Sequence, residues 1–441
     1  MRKLLHLIAS IATLALLVGV SVGKLDLQTR AQSDDDLWTE PLNLSRSGAA
    51  SKPVVVAGLE GALQVFWWDQ FDGLIASYYD GENWSAPSVT PLGMTEIVGA
   101  GEQAESVFTP IEAMPQIIGD QTYAHALWLG APDEETGLRP LMRSRLAVGS
   151  FSWSEPEAVA ESALTWKMIA APDGVLHLVY VRPVQTETFP AGVYYKRSAN
   201  NGATWGALEA LYDTTYFRLL DAEDAHLWVS AADDGEAFVT WNDPRLEKTF
   251  VARSPDGGVS WDAPQAVGQT EGGARRAHTI SAHGEKLLLW EANRTVAGCT
   301  LYQQQLITST VSGSEGVAAT QAVSVAWGAP ELVLEDLRFC PEALTVHRTA
   351  GGYPVLVMGS GSGYSTAVAW DGAQWSEPRS LGFNFEHPEL GRQVYLEALQ
   401  TELLVDGRLV VVALGQEGDV WYLASEVEAC DWAFAPPSPW S

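Results

Sequence analysis

The sequence predicts an all-β protein built as a single β-propeller of four-stranded blades, and three observations carry that prediction. A phrase of Trp, two further residues, Pro and then an aliphatic run recurs along the chain. The chain contains 40 Gly, 23 Pro and 18 Trp, a composition typical of many turns that join strands with large buried rings. Short alternating apolar segments recur between turn residues, whereas helical periodicity is hard to find. Four such strands per unit, repeated radially, form a propeller.

The repeated phrase sets the number of blades. Seven copies occur, of which only the copy at Trp205 lacks the Pro, and a degenerate eighth lies at Trp432. The seven intervals between Trp38 and Trp432 average about 56 residues, slightly above a kelch-type blade, so seven blades are favoured. Six blades with an elaborated terminus are the alternative, because the spacings that end at Trp153 and Trp327 are stretched. The seven copies begin at Trp38, Trp84, Trp153, Trp205, Trp261, Trp327 and Trp375.

The first complete unit shows the order of elements within a blade. Residues 53–57, 63–67 and 74–79 are three apolar segments separated by a Gly-containing turn and a polar loop, which predicts three consecutive strands. The segment from Trp38 to Pro41 precedes any complete unit. We therefore expect its strand to close the ring beside residues 419–424, which hides both edges of the array.

The N-terminus predicts export. Met1, Arg2 and Lys3 are followed by an apolar run over residues 4–22, the pattern of a secretion signal. Cleavage after Ala31 is favoured, and an uncleaved N-terminal anchor is the alternative. The chain then divides into a signal segment, 1–31, and a propeller domain, 32–441. We expect a secreted or cell-surface protein.

The net charge of the chain excludes some classes of binding partner. The chain has 26 basic and 55 acidic residues and a net charge of −29, which repels nucleic acid and anionic lipid surfaces. A glycan, a glycoprotein or another protein remains as a partner. We expect a monomer with no membrane partner, apart from the N-terminal anchor if the signal is not cleaved. The His residues are scattered and no phosphate-binding Gly loop occurs, so we expect no catalytic metal and no cofactor.

Three cysteines, Cys299, Cys340 and Cys430, leave two alternatives open. An oxidising compartment permits one disulfide, with Cys299 and Cys340 the favoured pair, and one thiol is then left over. Three buried unpaired thiols are the other alternative, because free cysteine is commonly buried.

Two turns of the sequence, from Ser254 to Trp261 and from Ser198 to Trp205, match the Asp box, Ser-x-Asp-x-Gly-x-x-Trp, the second with Asn200 in place of Asp. By this motif the chain resembles the sialidase superfamily and other bacterial neuraminidase repeat proteins. The physical role of the box is structural, since a short acceptor bonds turn amides, Gly takes positive φ and Trp folds back onto the sheet. The resemblance implies that the boxes join third and fourth strands, on the face away from the active site. The two boxes consist of Ser254, Asp256, Gly258 and Trp261, and of Ser198, Asn200, Gly202 and Trp205.

The resemblance also implies a site on the opposite face, where second strands end and first strands begin. Sialidases hold a substrate carboxylate with three Arg, since a guanidinium fork suits a carboxylate, and use a Tyr–Glu pair as nucleophile and an Asp as acid/base. Extended to this chain, the resemblance implies three Arg forks, a Tyr nucleophile, a Glu partner and an Asp acid. These residues are, in that order, Arg275, Arg338 and Arg392; Tyr395 or Tyr364; Glu291; and Asp69 or Asp72.

Further polar and aromatic residues fall on the same predicted face. Arg182 and Arg245 follow second strands, the start of one blade reads Arg275-Arg276-Ala277-His278, and Trp68 is a candidate platform for a sugar ring. Where the family has an Arg-Ile-Pro phrase, however, this chain has Ser51-Lys52-Pro53, and Lys cannot replace a bidentate fork. The prediction is therefore glycan or protein binding without turnover. The alternatives are an exo-acting glycoside hydrolase of the exo-α-sialidase type and an assembly or scaffold propeller.

Overall fold

The computed structural model describes most of the chain beyond the N-terminal segment. The described residues are 37–98, 105–186, 189–268, 274–282, 284–295, 298–311, 322–337, 339–341, 343–349, 351–359, 365–381 and 383–434. The signal segment predicted over 1–31 and the candidates Arg338 and Tyr364 lie outside these residues. Within them, no helix is long and apolar enough to cross a membrane.

Seven antiparallel sheets form the seven blades, so the predicted fold and the predicted blade count are confirmed and the six-blade alternative is wrong. Strand β1 is Leu42–Asn43. Blades one to three contain β2 Ala50–Ala57, β3 Leu63–Asp69, β4 Gly73–Tyr79 and β5 Ser88–Val89; β8 Gln116–Gly119, β9 Tyr123–Leu129, β10 Leu141–Ala147 and β11 Glu157–Ala160; and β12 Thr165–Ala170, β13 Leu176–Arg182, β14 Gly192–Ser198 and β15 Glu209–Asp213. Between blades one and two stands a separate hairpin of β6 Gly93–Val98 and β7 Glu105–Pro110.

The remaining blades follow the same order. Blade four contains β16 Leu227–Ala231, β17 Ala237–Asp243, β18 Lys248–Ser254 and β19 Gln265–Val267. Blade five contains β20 Arg275–Ala282, β21 Glu285–Thr295, β22 Gly298–Val311, β23 Ala322–Trp327 and β24 Glu331–Leu337. Blades six and seven contain β25 Ala343–Arg348, β26 Pro354–Gly359, β27 Ser365–Ala369 and β28 Arg379–Ser380; and β29 Asn384–Glu386, β30 Gln393–Leu403, β31 Arg408–Gly415 and β32 Val420–Glu428. The helices within the described ranges are short: the 3-10 helices Leu59–Gly61 and Thr215–Leu219 and the α-helix Ala429–Phe434.

The ring closes between the two ends of the chain, as predicted. Strand β1 pairs antiparallel with β32, with Leu42 opposite Tyr422. The carboxylate of Asp419 accepts hydrogen bonds from the side chain of Asn43 at 2.9 Å and from the amide of Gly48 at 2.9 Å. Because both the outer edge of blade seven and the N-terminal strand are paired, neither is left free.

The hydrophobic core is divided among the seven interfaces between neighbouring blades. Each interface buries side chains that alternate along the strands, and the adjacent pair Trp67 and Trp68 shows this. Trp67 is fully buried between blades seven and one, whereas Trp68 packs against the interface between blades one and two. Trp241, Trp290 and Trp421 fill three further interfaces in the same way.

The Asp-box turn of blade four joins its third and fourth strands. The carboxylate of Asp256 accepts hydrogen bonds from the amides of Val259 and Ser260, at 3.1 and 2.8 Å, and from the hydroxyl of Ser260. These donors hold the pKa of Asp256 at about 2. Gly258 has a φ of 83°. The carboxylate is thus occupied by its own turn.

Two departures from the simple repeat explain the stretched spacings of the Trp phrase. The β6–β7 hairpin is inserted ahead of blade two. In blade five, β22 is extended, so that its first part pairs with β24 and its last part pairs with β23. A disulfide joins Cys299 on β22 to Cys340, with their Cα atoms 5.0 Å apart, and Cys430 is a free thiol.

Candidate functional site

The loop face is defined here as the face formed by the ends of second strands and the starts of first strands. The register of each blade brings these points together: Ala50 pairs with Asp69 in blade one, and Arg275 pairs with Glu291 in blade five. The Asp-box turns follow third strands and so lie on the opposite face.

The two acid candidates of blade one differ in environment. Asp69 is 2% exposed, and its Oδ1 accepts hydrogen bonds from the amides of Phe71 and Asp72, at 2.9 and 3.3 Å. Asp243 occupies the equivalent position in blade four and binds the amides of Arg245 and Leu246 in the same way. Asp69 therefore stabilises its loop turn, whereas Asp72 is exposed beside it.

The candidates of blades five and seven lie on separate strands of the loop face. Arg275 is exposed and stands opposite the buried Glu291, so a cation and a carboxylate face each other across two paired strands. Tyr395 on β30 is 45% exposed, and Arg392 is exposed just before that strand.

The Arg candidates at the ends of second strands are unlike each other. Arg182 is 2% exposed, donates to Oε2 of Glu161 at 3.0 Å, and its guanidinium lies 5.6 Å from the ring centre of Phe189. Arg245 is exposed in the following loop of blade four. A ligand would therefore contact an already paired guanidinium at Arg182 and a solvated guanidinium at Arg245.

A different group of side chains converges at the centre of the ring, from the first strands of three consecutive blades. We call it the axial cluster, and it consists of Lys167, His226, Trp228, Arg276 and His278. The ammonium of Lys167 lies 5.5 Å from the ring centre of Trp228, and the ring of Trp228 meets His278 edge-on at 4.4 Å. His226 meets His278 edge-on at 5.4 Å.

The axial cluster has an excess of positive charge and hydrogen-bond donors. Among the residues that the structure describes, Lys167 has no ion pair with a carboxylate, and Nε2 of His226 and Nδ1 of His278 are buried without a hydrogen-bond partner. Arg276 donates to the carbonyl oxygen of Pro341. Buried polar groups normally have partners, so the ammonium of Lys167 and the unpaired imidazole nitrogens beside it are suited to a polar ligand.

Electrostatics at the axial cluster follow from burial among like charges. Burial lowers the pKa of Lys167. Burial, and then the charges of Arg276 and Lys167, lower the pKa of His226 to about 3. Burial in the first place also holds the pKa of His278 well below its usual value. Both imidazoles are therefore neutral near pH 7.

A β-bulge that contains a residue with positive φ recurs in the first strands of three blades. Blades one, five and seven each have a β-bulge between first and second strand. In each bulge a residue other than Gly has positive φ: Lys52 at 47°, Arg276 at 46° and Ala398 at 49°. This conformation costs about 1–2 kcal/mol per residue. The position at which the sialidase resemblance expects an Arg, Lys52, is thus equivalent to Arg276 in blade five.

Sequence reasoning reached only part of this arrangement. It identified the strand start that carries Arg276 and His278 but not Lys167, His226 or Trp228. Lys167 stands in an otherwise unremarked strand, and only the ring geometry brings three strand starts to one axis. The sequence signal was the rarity of lysine, since the whole chain has seven.

Comparisons with known proteins found only distant similarity to solved structures. No protein-family model matches the chain, and no curated protein matches it. Among solved structures, the chain is similar to a protein of unknown function from Dyadobacter fermentans, with 13% identity, a TM-score of 0.43, and 88% of this chain and 98% of that chain covered. It is also similar to the Aleuria aurantia lectin, with 9% identity, a TM-score of 0.38 and coverage of 77% and 97%. A third is the Hadza microbial sialidase Hz136, with 12% identity, a TM-score of 0.40 and coverage of 86% and 66%.

Proposed function

We propose that this protein is an exported carbohydrate-binding propeller that holds an acidic glycan at the axial cluster. The observation that carries the proposal is the position of Lys167 over the indole of Trp228, with Arg276, His226 and His278 around it and no carboxylate paired to the lysine within the described part of the chain. An ammonium and a guanidinium beside an aromatic ring match a sugar that bears a carboxylate.

The charge of the chain supports an anionic group as the specific element of the ligand. A protein with a net charge of −29 repels polyanions over most of its surface, so a local cationic site selects a small anionic group rather than nucleic acid. Neutral imidazoles add donors without adding a charge that must be desolvated. A single carboxylate on a sugar fits this balance.

The proposal that the protein is exported rests on its N-terminal sequence and on one feature of the fold. The basic and then apolar N-terminus predicts secretion, and the disulfide between Cys299 and Cys340 suits an oxidising compartment. Glycans are presented in such compartments. The location is tested by following the protein in its native cell fractions.

Glycoside hydrolysis of the exo-α-sialidase type is the second candidate. The observation in its favour is the phenol of Tyr395, 45% exposed on the loop face, where a nucleophile has access to a bound sugar. Binding is preferred because Lys52 stands where the resemblance expects a guanidinium fork.

One experiment tests the proposal directly. Isothermal titration of the purified protein compares an acidic oligosaccharide, sialyllactose or a uronic-acid trisaccharide, with the same saccharide after reduction of its carboxyl group. We expect binding of the acid form only, and a loss of at least tenfold in Lys167→Met and in Arg276→Gln. Equal affinity for the acid and reduced forms overturns the proposal. Release of the terminal sugar, abolished in Tyr395→Phe, selects hydrolysis.

A further inference from the structure

A cavity lies away from the axial cluster, between the outer strands of blades four and five. It has a volume of about 350 Å³, within the range of small-molecule sites. We call it the rim pocket. Its lining includes Arg253, Asp262, Gln265, Leu306 and Trp327.

The fold builds the rim pocket from the irregular part of blade five. Where blade four turns through its Asp box, β22 and β23 continue as an extended hairpin in which Leu306 pairs with Trp327. Asp262 directly follows the box residue Trp261, and Gln265 begins β19. The pocket therefore lies on the Asp-box side of the ring, with blade four as its polar wall and the blade-five hairpin as its apolar wall.

The polar wall is held in place by ion pairs. Arg253 donates from Nη1 to Oδ2 of Asp262 at 3.2 Å and from Nη2 to Oε1 of Glu236. The Nζ of Lys286 lies 3.8 Å from Oε2 of Glu236 and contacts Asp234. The guanidinium is thus fixed from behind, and its Nε is buried without a hydrogen-bond partner among the described residues. The side chain of Asp262 is 50% exposed, so its carboxylate remains accessible.

We propose that the rim pocket binds a neutral pyranose. A vicinal diol needs a donor and an acceptor side by side, and Arg253 next to Asp262 supplies both, with the amide of Gln265 beside them. The apolar face of a pyranose packs on an aromatic ring, and the half-buried indole of Trp327 lines the other wall.

Charge separates this site from the axial cluster. Arg253 and Asp262 are the charged residues that line the pocket, and the ion-pair network behind them adds Lys286, Asp234 and Glu236. The five charges sum to −1, which disfavours a ligand carboxylate. A neutral sugar avoids this cost. The inference does not rest on the function proposed for the axial cluster, and the two sites accept ligands of different charge.

The test uses the purified protein and four probes, the methyl glycosides of glucose, galactose, mannose and fucose. Saturation-transfer NMR reports binding of each. We expect at least one to bind, and Asp262→Ala and Gln265→Ala each to weaken that binding about tenfold or more. Trp327→Leu, which keeps an apolar side chain and removes the ring, should weaken it as strongly. Asp371→Ala, an exposed turn carboxylate in blade six, is the matched control and should leave it unchanged.

Two results overturn the proposal. One is the absence of binding for all four glycosides. The other is binding that persists in both Asp262→Ala and Gln265→Ala, which are substitutions of exposed residues and decide the matter even if Trp327→Leu fails to fold.

Discussion

The guanidinium of Arg143 donates a hydrogen bond to Nδ1 of His125 across 2.7 Å, and it also donates to the carbonyl oxygens of Asn201 and Gly202 in the next blade. Because arginine can only donate, Nδ1 of His125 accepts and its proton sits on Nε2, which donates to Asp120 at 2.8 Å. One buried arginine thus connects the second strand of blade two to the Asp-box turn of blade three.

At the interface between blades three and four, a different side chain makes the equivalent contact with the Asp-box turn of the next blade. The hydroxyl of Tyr195 lies 2.7 Å from Nδ1 of His177, and its ring packs edge-on against Trp261 at 4.7 Å. A Cβ on Gly258 would lie 1.8 Å from the Tyr195 hydroxyl, as one on Gly202 would lie 2.0 Å from Arg143. The Gly of the box is therefore required both by its positive φ and by the side chain of the preceding blade.

Substitution of Gly258 by Ala should reduce the free energy of unfolding by about 2–4 kcal/mol, because positive φ and overlap with the Tyr195 hydroxyl both oppose it. The adjacent Gly257, with a φ of 67° and open space by comparison, provides the matched control. Gly257→Ala should cost only the backbone term, about 1–2 kcal/mol. Urea unfolding of both variants measures the difference, and equal losses would show that the interblade contact does not matter.

Asp419 should be the most sensitive polar residue of the ring closure. Its carboxylate, 8% exposed, accepts from Asn43, Ser45 and Gly48 of the N-terminal strand region. Asp419→Ala should lower the free energy of unfolding by about 3 kcal/mol, since charge-assisted hydrogen bonds are lost and their donors left unpaired.

The control for the ring closure is Asp406→Ala. Asp406 is 54% exposed and pairs with Arg408 at 2.8 Å, so its loss should change the free energy of unfolding by less than about 1 kcal/mol. The same denaturant titration serves both. If Asp419→Ala behaves like Asp406→Ala, closure does not depend on this carboxylate.

The fold could be predicted from the sequence because its signals are local. Each Trp phrase marks a turn, each Asp box fixes one chain reversal, and alternation decides which of Trp67 and Trp68 faces which interface. The closing strand followed from the copy at Trp38, which has no complete unit of its own. Local patterns of this kind can be interpreted without knowledge of long-range contacts.

The site could be predicted only in part, because it depends on distances between blades. Asp69 has the sequence pattern of a loop carboxylate, yet its oxygen is occupied by turn amides, as is that of Asp243. Lys167 and His226 lie in separate blades, and only closure of the ring brings them to one axis. Nor does the sequence reveal the positive φ of Arg276, since a bulge depends on pairing with the neighbouring strand.

Acid should destabilise the protein through its buried histidines, while Glu402, whose pKa burial raises to about 7, opposes this effect by one proton. Burial lowers the pKa of His177 and His347 to about 4 and that of His226 to about 3, against an unfolded value near 6.5. The unfolded chain therefore binds more protons between pH 6.5 and pH 4. Stability is fully present above about pH 6.5 and is lost as the pH falls through that window.

Each buried histidine contributes up to about 1.4 kcal/mol of lost stability per pH unit in this window. The measurement is the free energy of unfolding in urea from pH 8 to pH 4.5, where we expect a plateau above pH 7 and a steep decline below. His177→Phe should reduce the slope of the free energy of unfolding against pH by the contribution of one histidine. A decline that begins only below pH 4.5 would contradict the buried neutral state of these imidazoles.

Lys167 should stabilise the ligand complex while it destabilises the free protein. Its ammonium is partly removed from water without a paired carboxylate in the described part of the structure, so Lys167→Met should raise the free energy of unfolding by about 1 kcal/mol. The same change should weaken the acidic saccharide at least tenfold, because the ligand then loses its cation. Lys248→Met, at an exposed lysine that begins β18 on the same face, should change neither quantity. Opposite signs for stability and affinity in Lys167→Met identify a residue placed for binding, whereas a loss of both would identify one placed for the fold.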